Sequence, residues 1–245
     1  TRDPVMIDDC GANNPAGLDP QRVATLSAGG PASNARWLYP YKGTVFPRGM
    51  IAPTLMWEGA PGDVVYVHIS ASLFEYRGCL RTTGAQQLQL PQDVWKKAGD
   101  QTLGSMAPFT IEVTVLGSSG AVGPMRTEIV IPQATLKGSI FYNSYVSANA
   151  LSGSVYRIPP GGQAEVFLGG LACVGCHSVS ANGTHLIASN GGEPGASYAL
   201  TPTTAPNPPM SAAAPRPSFV GLSPDGSVYV NTALPATGAR PTTPA

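Results

Sequence analysis

Charge is what this sequence has least of. Only 11% of its 245 residues are Asp, Glu, Lys or Arg, against about a quarter in an ordinary globular domain. Its 14 basic and 14 acidic residues cancel. That balance excludes the basic footprint of a nucleic-acid-binding protein and the acidic block of a solvating tail. Long apolar runs are missing too, and no stretch approaches the roughly 18 residues of a membrane-spanning helix. Three catalytic signatures are absent: the G-x-S-x-G nucleophile elbow, the G-x-x-x-x-G-K phosphate cradle and the H-E-x-x-H zinc helix. Histidine is down to three residues and cysteine to four.

In place of charge stand 29 glycines and 25 prolines. Turns must therefore be frequent, which favours short strands over helices and predicts an all-β protein. The length allows one large or two modest domains with real cores.

Four of the seven cysteines and histidines lie scattered, but three are adjacent, in Cys173-Val174-Gly175-Cys176-His177. C-x-x-C-H is the attachment signature of a c-type haem. Two thiols three positions apart can each form a thioether with one porphyrin vinyl group, and the next imidazole can bind the iron as proximal ligand. Thiol redox chemistry would place C-x-x-C at the start of a helix. Here Gly169-Gly170 precedes it and Ser178-Val179-Ser180-Ala181-Asn182-Gly183 follows. A zinc knuckle would need two further ligands at matching spacing, and only Cys10, Cys79, His68 and His185 remain. The reading is one covalent haem c on Cys173, Cys176 and His177. Cys10 and Cys79 are then left over, either as a disulfide, the reading favoured for an exported protein, or as two free buried thiols; a disulfide together with haem attachment points to a periplasmic or extracellular protein. The chain begins at Thr1 without a signal-like apolar core, which reads as a processed chain.

Residues 1–35 carry turn chemistry and one short helix candidate, Pro20–Thr25, an arm without a core of its own. Residues 36–135 alternate as strands. In Val64–Ser70 the side chains of Val65, Val67 and Ile69 share one face, and those of Tyr66, His68 and Ser70 the other. Phe109–Val115 alternates likewise and pairs with Thr127–Ile131. Pro91–Lys97 reads as one helical turn with Pro first. Such strands over about 100 residues describe an immunoglobulin-like β-sandwich. Residues 136–245 form the haem region, with Pro-rich linkers at 201–217 and 235–245. Ser180-Ala181-Asn182-Gly183 lines up with Ser223-Pro224-Asp225-Gly226 at an offset of 43, each a hairpin turn feeding a strand. That offset is near the blade period of a β-propeller.

The run from Tyr41 to Tyr145, above all Leu136–Tyr145, resembles the immunoglobulin- or fibronectin-like module that precedes haem-bearing, TolB-like propellers in exported bacterial proteins. Ser223-Pro224-Asp225-Gly226 is similar to the inner hairpins of such blades. The resemblance is to an exported c-type cytochrome joining that module to the start of a propeller. It implies an all-β chain in which the sandwich is followed by a haem-binding, partial propeller-like region. At least four blades close a propeller, and the residues after Cys173 supply at most two, so a longer chain or an assembly is expected.

The sixth iron ligand decides between carrier and reactive centre. A two-residue turn at Ala181-Asn182 would put His185 on the face opposite His177 and so out of reach. Met210, after Asn207-Pro208-Pro209, and His68 are the candidates. The expected function is electron transfer by an exported monohaem protein, handing electrons to a redox partner or to other subunits of a homo- or hetero-oligomer. The alternatives are an adhesive or structural subunit stapled by haem, and a haem enzyme with an open sixth site.

Overall fold

A computed structural model describes residues 2–32, 34–144, 153–171, 177–190, 193–200, 211–212 and 220–231. The chain divides into two units, Thr1–Lys137 and Gly138–Ala245.

In the first unit the strands are β1 (Val5–Asp9), β2 (Arg36–Tyr39), β3 (Thr44–Val45), β4 (Thr54–Glu58), β5 (Val64–Ala71), β6 (Phe74–Arg81), β7 (Gln87–Gln89), β8 (Phe109–Gly117) and β9 (Gly120–Val130). They form a six-stranded sheet of order β1-β6-β5-β8-β9-β3 and a three-stranded sheet of order β2-β4-β7. The alternation read from the sequence is what builds the larger sheet. Val65, Val67 and Ile69 of β5 and Phe109, Ile111, Val113 and Val115 of β8 are all buried, while Tyr66, His68 and Ser70 lie half-exposed behind them. Leu55, Trp57 and Leu88 of the smaller sheet join the same core. Each such side chain, fully buried, contributes roughly 1.5–3 kcal/mol. Trp57 settles its one polar atom by donating from Nε1 to the Ala60 carbonyl at 2.9 Å.

Helix α2 spans Gln92–Asp100, with Pro91 as its cap residue rather than its first helical one, and buries Val94, Trp95 and Ala98. Trp95 meets Phe46 edge to face at 5.4 Å.

The arm differs most from expectation. It contributes β1, which runs parallel to β6, and helix α1 (Pro20–Ala28), capped by Asp19 accepting from the Arg22 amide. Ala16, Leu18 and Leu26 pack on Val64 and Cys79 to make a second, smaller core on the far side of the larger sheet. Two features hold it there. Cys10 and Cys79 form the expected disulfide, and Gly30 and Gly123 exchange backbone hydrogen bonds at 2.8 and 3.3 Å. A side chain on Gly30 would collide with the Ala121 carbonyl, so this contact needs glycine.

In the second unit β10 (Ile140–Ser144), β11 (Gly153–Ile158) and β12 (Glu165–Leu171) form one antiparallel sheet, and β13 (His177–Val179), β14 (His185–Asn190), β15 (Glu193–Ala199) and β16 (Ser211–Ala212) another. Hairpin β17 (Val220–Leu222) and β18 (Tyr229–Asn231) stands beside them. Val155, Phe167 and Leu168 of the first sheet bury against Leu186 and Ala188 of the second. The chain is mostly β, as its composition predicts. The partial propeller-like region is not upheld: the described strands of this unit form only three sheets, of three, four and two strands, and nothing among them shows the radial repetition of four or more blades that makes a propeller.

Candidate functional site

His177 opens β13 opposite Ala188, and Val179 stands opposite Leu186. Paired residues share a face and alternate residues share a face, so His177 lies on the side of β13 that carries Val179, Leu186 and Ala188 into the core. It is half-buried. From the other sheet of this unit, Asn143 of β10 reaches it: Asn143 Oδ1 lies 2.8 Å from His177 Nδ1. With the amide oxygen facing the ring, the imidazole donates from Nδ1, which in its neutral form leaves the lone pair on Nε2. A histidine held in this way is able to offer Nε2 to a metal.

The turn beyond β13 is wider than a two-residue hairpin. Ser178 pairs with Ile187 rather than with His185, and Val179 pairs with Leu186 rather than with Thr184. Ser180 is the cause, because its Oγ accepts from the amides of Thr184 and His185 at 3.2 and 3.0 Å and holds the loop open. His185 still points to the face opposite His177, since the shift is an even number of residues. Its Nδ1 lies 2.8 Å from Thr184 Oγ1.

The two similar turns, 43 residues apart, sit side by side. The Asn182 amide donates to the Pro224 carbonyl at 3.0 Å, and Asn182 Nδ2 donates to the Asp225 carbonyl at 3.0 Å. Within the second turn Asp225 accepts from Ser223 Oγ, the Ser227 amide and Ser227 Oγ, and these bonds hold its carboxyl down to about 2.

His68, in the first unit, is already engaged. Its Nδ1 lies 3.1 Å from Glu112 Oε2 and its Nε2 lies 3.2 Å from Glu75 Oε1. Cross-strand register sets this up, with Glu112 of β8 and Arg77 of β6 directly opposite His68. The Arg77 guanidinium, bonded to Glu75, pulls that carboxyl below its ordinary range, and His68 adds to the effect. Neither Glu75 nor Glu112 stands out in the sequence, because only the strand register brings them to the ring. Asn143 is equally unmarked there: it lies 34 residues before its partner, on a different sheet. Cys173, Cys176 and Met210 lie outside the described residues.

No family model matches this chain, and no curated protein matches it. The resemblance to exported c-type cytochromes with an immunoglobulin-like module and a TolB-like propeller is corrected accordingly. The described cysteines, Cys10 and Cys79, are spent on a disulfide. Among the described residues no group of three or more His, Cys, Asp or Glu side chains could hold a metal ion. The described strands after His177 form one four-stranded sheet and one two-stranded hairpin, too few for a ring of blades. The family assignment is withdrawn. No described helix is long and apolar enough to cross a membrane.

Proposed function

We propose that the second unit holds one haem through residues 173–177 and that the protein transfers electrons outside the cytoplasm to a partner protein or to further subunits. The observation that carries this reading is the His177 imidazole, half-buried at a sheet edge with Nδ1 bonded to Asn143 Oδ1 at 2.8 Å. That bond fits a proximal ligand, whose second nitrogen is usually held by an acceptor. The spacing of Cys173 and Cys176 suits two thioether bonds. Haem, when bound, supplies a one-electron couple whose potential follows its axial ligands and their hydrogen bonds. The protein's part is to fix the ring of His177 through Asn143, beside the apolar cluster that holds Phe141, Phe167 and Leu186. We take Met210 over His68 as the second axial ligand, because both ring nitrogens of His68 already have carboxylate partners. Electron transfer is preferred to an enzyme because no His/Arg pair suited to distal acid–base chemistry is recognisable near the motif. The Cys10–Cys79 disulfide supports an exported location.

We read the first unit as immunoglobulin-like. In that scheme β9-β8-β5-β6 take the places of strands G, F, C and C′, and β2-β4-β7 those of A, B and E.

Intact mass after acid denaturation tests the haem. The full chain, exported by a host that attaches haem covalently, is expected to weigh one haem more than its polypeptide, with Cys173 and Cys176 closed to alkylation. A bare polypeptide mass with both thiols alkylated would sink the proposal.

A further inference from the structure

We infer that Asn143 is the positioning residue of the haem ligand His177 and sets the potential of the centre. This rests on the haem reading above. Asn143 belongs to β10 and His177 to β13, so the bond between them crosses from one sheet of the unit to the other. The chain devotes an amide side chain to this bridge at the edge of a core otherwise made of Phe141, Val155, Phe167, Leu168, Leu186 and Ala188. Leucine at 143 could not accept the Nδ1 proton, and that acceptor has two effects. It selects the tautomer whose lone pair is on Nε2, and it polarises the ring, making Nε2 a stronger donor to a metal. A stronger donor favours the ferric over the ferrous state, so the acceptor lowers the midpoint potential.

Two measurements test this independently. The first needs no haem. With three histidines in the chain, nitrogen NMR of the haem-free full chain resolves the His177 tautomer. Nδ1–H is expected in the natural protein, and loss of that preference in Asn143→Leu. An unchanged tautomer in Asn143→Leu overturns the positioning role whether or not haem is ever attached.

The second uses the haem-loaded full chain. Asn143→Leu is expected to raise the midpoint potential, and Asn143→Asp, a stronger acceptor that keeps the bridge, to lower it. A tenfold change in the ferric-to-ferrous preference reads as 59 mV for one electron. Equal potentials in all three proteins overturn the inference while leaving the haem in place. Should Asn143→Leu fail to fold, the direction of the Asn143→Asp shift still decides. A natural chain that takes up no haem defeats the proposed function, and with it the claim on potential, while the tautomer measurement separately decides whether Asn143 orients His177.

Discussion

Gly78 and Tyr76 show how tightly single residues are constrained in the larger sheet. Two positions apart on β6, they face the same core, and the Tyr76 ring lies along the strand with its hydroxyl over the Gly78 Cα. Tyr76 is fully buried, and burial raises its hydroxyl above the ordinary range. A methyl group at 78 would overlap the Tyr76 ring and Oη. The ring is fully buried and has little room to yield. We expect Gly78→Ala to destabilise the first unit by about 1–3 kcal/mol, read as a lower urea midpoint. An unchanged midpoint would mean that the ring has room to move. At this scale the sequence is informative about faces and silent about partners. Val65, Val67 and Ile69 can be assigned inward from alternation alone, because burial needs no partner to be named. The carboxylates around His68 cannot, because Glu75 and Glu112 reach it only through the register of two neighbouring strands. The Asn143–His177 bond is hidden for the same reason.

Elements are legible wherever local chemistry dictates them. Helix α1 begins at Pro20 because Asp19 caps it and proline suits the first turn, and both signals are visible in the chain. The hairpin after His177 departs from the two-residue turn expected at Ala181-Asn182. The Ser180 hydroxyl offers the backbone a second acceptor, and a wider loop results. Its counterpart at Ser223–Ser227 makes a pH prediction. The Asp225 carboxyl titrates near 2 when its three donors are in place, below the ordinary value of about 3.9. A lowered folded value means that its stabilising contribution is complete above about pH 4, shrinks as the pH falls, and is gone once the folded group protonates near 2. Carboxyl-carbon NMR of Asp225 should show that low midpoint. Titration at the ordinary aspartate value would remove the basis for this turn's rigidity. Asp225→Asn should remove this turn's share of the acid dependence, leaving that of Glu75 in place.

For the molecule as a whole, sequence pattern locates the β content and the cysteine pairing but not the use made of the arm. A segment rich in turns and poor in periodicity gives no sign that it will furnish both a parallel edge strand and a helix for a second core. The parallel pairing of β1 with β6 joins residues about 69 positions apart, and the disulfide closes a loop of that separation. Restricting the unfolded chain across such a loop stabilises the folded state by about 4 kcal/mol in the chain-entropy account. We expect Cys10→Ala with Cys79→Ala to lower the first unit's stability by about 2–5 kcal/mol, measured by denaturant unfolding of the full chain. A loss below about 1 kcal/mol would mean that the Gly30–Gly123 contact and the small core hold the arm without the cross-link.

The bond between Asn143 and His177 has a mechanical consequence. Its ends belong to different sheets, and at 2.8 Å it survives little slippage, since a displacement of about half an ångström already weakens such a bond. The imidazole is therefore a strain gauge for the second unit. Any force or docking event that slides one sheet over the other is written directly onto the proton at Nδ1.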